Sequence, residues 1–165
     1  MREKKGKSLI EAPDSFVIID IETTGLMPYW DDIIEVGAIR YEHGIEVRRF
    51  SSLVKPPVCE DGSYIDDYII ELTGITNEML STAPNIENVL SDLDSFIGNS
   101  ILIGHNVNFD INFLYDNFEE YLGKSLSNDF IDTMRLSRNL HPEEKHHRLS
   151  DLCQRYELSY SSAHR

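Results

Sequence analysis

The run SFVIIDIETTGLMPY, from Ser15 to Tyr29, constrains this chain more than any other stretch. Its first part is apolar enough for a core strand, yet Asp20 and Glu22 interrupt it at alternate positions before the break at Gly25. Residues two apart on a strand share a face, so both carboxylates can reach one cation. Burying two like charges side by side costs several kcal/mol unless a cation or hydrogen-bond donors compensate. The expectation is therefore a divalent metal site. The bland alternative, a strand end with both acids in water, sits poorly with the apolar residues that precede Asp20.

The chain's 165 residues suit one domain with a real core. A 41% hydrophobic and 27% charged composition places it among globular proteins. No apolar stretch approaches bilayer length, and the basic start from Met1 to Lys7 lacks a following hydrophobic signal region. Residues 1–13 thus read as a tail or linker, and residues 14–165 as the domain. Cys59 and Cys153 lack ligand-like spacing and read as reduced thiols, which points to the cytoplasm. The net charge of −14 argues against a protein that coats nucleic acid through bulk electrostatics. It leaves room for a nucleic-acid enzyme, because cations bound by clustered carboxylates can reverse the local sign where a phosphate sits.

Along the chain, IIEVGAIRYEHG and IEVRRFSSLV read as two further strands joined by a turn at His43-Gly44, giving an antiparallel meander. Residues 66–72 and 77–80 look like short helices around Thr73-Gly74. Residues 85–97 carry apolar positions at helical spacing. SILIGHN resembles a short buried strand that feeds a helix over 108–121, a βα unit. FIDTMRLSRNL repeats the pattern, with Asp132 near a helix start and Leu136 and Leu140 expected to face inward. HHRLSDLCQRYEL supplies a last helix. The sum is an α/β chain with a mixed, five-stranded sheet flanked by helices, the order of a ribonuclease H-like fold.

Asp110, at the start of the 108–121 helix, can face the first strand as a third acid; a capping role stabilised by the helix dipole is the plain alternative. His105 and Asn106 are either polar residues closing a strand end or groups that bond to substrate or order a metal shell. His164, near the end of the chain, is by itself a solvated residue or a general base.

FVIIDIETTGL with IIEVGAI, then ELTGIT, GHNVNFDINFL, IDTMRLSR and HRLSDLCQRYELSYSSAHR follow one another as do the signatures of the DnaQ-like, DEDDh-type 3′→5′ exonucleases, which this chain resembles from Asp14 onward. Within them the pattern most resembles the proofreading domain of PolC-type bacterial replicative polymerases. The resemblance implies that Asp20 bridges two Mg²⁺ or Mn²⁺ ions, that Glu22 holds one, and that Asp110 holds the second directly or through water. It makes His164 the base that takes a proton from the attacking water. Two such ions, about 4 Å apart, activate water and stabilise a leaving 3′ oxygen. Thr23, Thr24, Gly25 and Leu26 correspond to the loop that contacts the terminal nucleotide, and His105, Asn106 and Phe109 are implied near the same 3′ end. For the loop, turn formation is the plain alternative, and for Phe109 core packing.

The family's last acid lies a few residues beyond its histidine, whereas this chain stops at Arg165. The expectation is a piece of a longer polypeptide, cut before its last helix, whose isolated site binds metal weakly. The implied substrate is the 3′ end of single-stranded DNA, and the implied partners are polymerase or other attached domains. An exonuclease directed at RNA, and a module that binds a 3′ end or a polymerase without cleaving, are the alternatives.

Overall fold

The computed structural model describes residues 2–11 and 13–159. Strand β1 is Ser8–Leu9, β2 Ser15–Thr23, β3 Ile33–Glu42, β4 Ile45–Leu53, β5 Leu102–Gly104 and β6 Phe130–Asp132. The helices are α1 Asp67–Thr73, α2 Asn77–Ser81, α3 Ile86–Ile97, α4 Asn108–Leu122, α5 Thr133–Leu140 and α6 Leu149–Arg155. The strands form one sheet in the order β1-β6-β5-β2-β3-β4. β2, β3 and β4 run antiparallel, and β2 pairs parallel with β5, β5 with β6 and β6 with β1.

The meander follows from its turn. His43 and Gly44 both adopt positive φ, 51° and 77°, the twist that two-residue hairpins need to match strand twist. Strand β2 then sorts its side chains by alternation. Val17, Ile19 and Ile21 are buried, while Ile18 and Asp20 are exposed and Glu22 is half-buried. The buried set joins Val89, Leu90, Leu93, Phe96 and Ile97 of α3, and Ile111, Phe113, Leu114 and Phe118 of α4, in the main core.

A smaller cluster covers part of the opposite face. Consecutive residues of β3 point to opposite sides, so Ile33 enters the main core while Ile34 packs with Ile65, Ile69, Ile75 and Leu80 around α1 and α2. The Ile18, Asp20 and Glu22 face of β2 remains open beside α1. A register shift between Glu22 and Thr23 marks a bulge that turns the chain out of the sheet just past the second acid.

Two expectations change. The sheet has six strands, because Ser8–Leu9 pairs with β6 where a tail is expected. Side chains hold that segment in place: the Arg2 guanidinium bonds both carboxylate oxygens of Asp116, and Lys5 donates to Asn108 and Asn112 at 2.9 and 2.7 Å. Leu140 is exposed, and the buried position of α5 is Ser137, bonded to His147 Nδ1 at 2.8 Å and to Arg155 at 3.1 Å. Those polar ties to the segment around α6 set the rotation of α5.

Gly104 ends β5 where the backbone of β2 and the start of α4 converge. A Cβ there would stand 2.6 Å from Val107 Cγ2 and 2.9 Å from the Ile19 carbonyl oxygen. A backbone atom cannot step aside as a flexible side chain can. Gly104→Ala should therefore lower stability by about 1–3 kcal/mol, as overpacking does. Denaturant melts check this, and an unchanged midpoint would show that β2 and α4 separate more easily than this packing implies.

Candidate active site

The carboxyl ends of three parallel strands lie at one edge of the sheet: Glu22 near the end of β2, Gly104 of β5 and Asp132 of β6. Ligands of open α/β sheets collect outside such ends. Beside them runs a groove of about 700 Å³, with Ile18, Asp20, Glu22 and Ile103 on its sheet side, Tyr68 and Leu72 of α1 on one flank, and Thr133 and Leu149 on the other. Thr23, Thr24, Gly25, Leu26, His105 and Phe109 also line it.

Asp110 is the buried member of the acid set. The Val17 N–H donates to the Ile101 carbonyl on the β5 side, and by strand alternation the Ile21 N–H points the same way. The β2–β5 pairing runs only from Val17↔Leu102 to Ile18↔Ile103, so Ile21 lies past it. Asp110 Oδ1 accepts the Ile21 N–H at 3.1 Å. The carboxyl is 5% exposed, and burial pushes its pKa up from 3.8 to about 8, with the charges of Asp20 and Glu22 adding to the rise. The structure thus brings Asp20, Glu22 and Asp110 within electrostatic reach, with the burial on the third acid and not on the alternating pair. The reason is the sheet face: the β2 acids look into the groove while Asp110 comes from the core-side helix.

All three side chains offer carboxylate oxygen, the donor that hard divalent cations prefer. A carboxyl whose pKa is raised by burial, and further by two neighbouring negative charges, is a group that a cation would ionise, so the donor chemistry fits such an ion. Among the described residues no three His, Cys, Asp or Glu groups are clustered closely enough to hold a metal. His164 lies outside the described residues.

His105 sits at the groove, its Nδ1 in a 3.0 Å hydrogen bond with Thr133 Oγ1, which also lies 3.2 Å from the Gly104 carbonyl oxygen. Burial lowers the His105 pKa. Its Nε2 is buried. Asn106, at φ 58°, does not line the groove; its N–H donates to Asp132 Oδ1 at 2.9 Å. The same oxygen accepts the Met134 N–H at 2.9 Å, so Asp132 caps α5 and fixes the turn that carries His105. Phe109 is half-buried, packed on Phe113 with centroids 4.9 Å apart, and touches the groove as well.

Sequence reasoning missed Tyr68 and Leu72. The available signal is that DYIIELT, a helix of only two turns, has one buried pair, Ile69 and Thr73, and a separate apolar pair, Tyr68 and Leu72, that is 68% and 43% exposed. One helix on one core needs a single apolar face.

A family model described as an exonuclease matches residues 17–165. The chain belongs to the exonuclease family. It is 39% identical over 152 residues to the DNA polymerase III PolC-type protein of Oceanobacillus iheyensis, and 37% over 153 residues to that of Bacillus subtilis. Each alignment spans 92% of this chain and 10% of the relative, so the chain corresponds to about a tenth of the PolC-type relatives it matches. DNA polymerase III subunit epsilon of Aquifex aeolicus is 36% identical, covering 92% of this chain and 72% of that one. This is an exonuclease domain of the DnaQ type.

Among solved structures, E. coli exonuclease I in complex with a dA16 oligonucleotide superposes with a TM-score of 0.74 at 21% identity, over 93% of this chain and 37% of that one. Exonuclease X in complex with 5′ overhanging duplex DNA gives 0.67 at 26%, over 89% and 76%. The ribonuclease H-like fold expected from the sequence is therefore the fold of this domain, with the sixth strand added at its edge. No helix among the described residues is long and apolar enough to cross a membrane.

The raised pKa of Asp110 gives this exonuclease domain a signed pH dependence. Between about 4 and 8 the folded carboxyl keeps a proton that the unfolded chain has lost, so metal-free stability falls as pH rises through that window. Asp110→Asn leaves an oxygen for the Ile21 N–H and removes the titration. In EDTA it should melt above the wild type at pH 8, by an amount that corresponds to a few kcal/mol, with the gap closing toward pH 4. A gap of equal size at both pH values would mean that Asp110 ionises as it does in solvent.

Proposed function

We propose that this domain is a metal-dependent 3′→5′ exonuclease that releases nucleoside 5′-monophosphates from DNA 3′ ends. The observation that carries the reading is a groove lined by Asp20, Glu22 and Thr23–Leu26, with the buried Asp110 within electrostatic reach of both acids. Asp20, Glu22 and Asp110 would hold Mg²⁺ or Mn²⁺, two ions in the complete site. Bound there, the ions supply positive charge for activating water and for stabilising the leaving 3′ oxygen.

The chain's own residues do the rest. The phosphate of the terminal nucleotide lies against the carboxylate end, and Thr23, Thr24 and Gly25 let the backbone approach it, with Leu26 against the base. Phe109 supports the terminal sugar from the helix side. His105, on the groove wall, hydrogen-bonds a hydroxyl of that nucleotide. Asn106 contributes by shaping the turn that presents His105. His164 accepts the proton of the attacking water, the bond from phosphorus to the 3′ oxygen of the preceding nucleotide breaks, and a 5′-monophosphate leaves. The naming of relatives as DNA polymerase III PolC-type and subunit epsilon supports a proofreading role beside a replicative polymerase.

The test is release of labelled mononucleotide from single-stranded DNA carrying a 3′ label. Release should require Mg²⁺ or Mn²⁺ and stop with EDTA. Asp20→Ala should cost more than the roughly 10–100-fold typical of groups one shell out from a metal. DNA that is bound but left intact in both metals would make the domain a 3′-end binding module instead.

A further inference from the structure

The loop that follows β2 exposes Leu26 at 79%, Met27 at 57%, Tyr29 at 82% and Trp30 at 78%. Single exposed apolar residues are ordinary, but four within five positions are not. The loop is tied down from inside. Asp31 Oδ2 accepts the Met27 N–H at 2.8 Å, and the Trp30 and Asp31 N–H groups both donate to the Met27 carbonyl at 2.9 Å. Across its base, the Thr24 N–H donates to the Asp32 carbonyl and the Asp32 N–H donates to Thr24 Oγ1, each at 2.9 Å. Gly25 permits this fold, since a Cβ there would stand 2.5 Å from the Asp31 carboxyl. The apolar tip is thus held outward by a fixed framework.

Tyr29 and Trp30 meet edge to face, with centroids 5.1 Å apart and planes at 82°, so neither ring hides behind a parallel partner. Leu26, three residues before Tyr29 in the same loop, lines the groove. We infer that Tyr29 and Trp30 are a stacking platform for the bases that lie 5′ of the terminal nucleotide in a single strand. This rests on the nuclease reading above. A strand whose last nucleotide lies against Leu26 would then pass over the loop that carries the aromatic pair.

Charge favours bases over phosphates as what the loop touches. Residues 23–32 contain no Lys or Arg and end in Asp31 and Asp32, within a chain of net charge −14. Such a loop repels a phosphate backbone, while every base offers an uncharged π face that stacks on an aromatic ring whatever the sequence. The platform would therefore hold the strand without choosing its sequence.

Trp30 is the only tryptophan, so its emission reports on the platform alone. A phosphorothioate-linked oligothymidylate, added with Mg²⁺, should quench that emission, and thymidine 5′-monophosphate should not. Trp30→Ala should raise KM for single-stranded DNA about tenfold, Trp30→Phe should restore most of it, and hydrolysis of p-nitrophenyl thymidine 5′-phosphate, which has no second base, should be unchanged. Emission that ignores the oligonucleotide, or an unaltered KM in both Trp30→Ala and Tyr29→Ala, overturns the platform. Emission that shifts only on adding a polymerase partner overturns it too and makes the loop a protein contact. Should the wild type hydrolyse neither substrate, the nuclease reading falls, and quenching by the oligonucleotide still decides the platform.

Discussion

The hydrogen bond from the Ile21 N–H to Asp110 is the constraint on which the rest of the site depends. It exists because the β2–β5 pairing ends at Ile18↔Ile103, leaving the β2 backbone without a strand partner on that side beyond this point. A buried backbone donor must find an acceptor, and here a helix supplies a carboxylate in place of another strand. Once that choice is made, α4 has to start at the strand end, Gly104 has to be small, and the carboxyl has to sit out of water next to two other acids. One bond therefore sets both where the helix lies and how far the acid is driven from its ordinary pKa.

The groove arises from incomplete coverage. Helices α3 and α4 bury one face of the sheet, while α1 and α2 cover the opposite face only around Ile34. The remainder of that face is the strip of β2 that carries Ile18, Asp20 and Glu22. A strand that alternates isoleucine with acid suits this position, since its apolar half builds the core while its polar half stays reachable. The bulge after Glu22 then throws the chain outward, so that the residues beside the acids become a substrate-facing loop and not a continued ladder.

Much of this was legible in order along the chain. Strand and helix periodicities placed β2 to β6 and all six helices near their observed bounds, because side-chain alternation is a local property. The N-terminal strand was not legible. Two residues carry no period, and Ser8–Leu9 becomes a strand only because the edge of β6 offers it a ladder and Arg2 and Lys5 find partners on α4. Leu140 was misplaced for a related reason: a helix of eight residues has more than one plausible inner face, and the bonds of Ser137 to His147 and Arg155 chose between them.

For the site, the sequence by itself determined which residues are chemically able to act. It set the alternating Asp20 and Glu22, the acid at a helix start, the small-residue turn after them and the family pattern that links them. Tertiary structure alone decided how they differ. Asp110 stands 89 residues from Ile21 in the chain, and no local pattern could have said that it, and not the β2 pair, would be the buried acid. Likewise the hydrogen-bond partner of His105 is a threonine on another element, and Tyr68 and Leu72 became groove residues through the packing of α1. Residue type and spacing are written in the chain, but desolvation and hydrogen-bond direction depend on which distant segment arrives alongside.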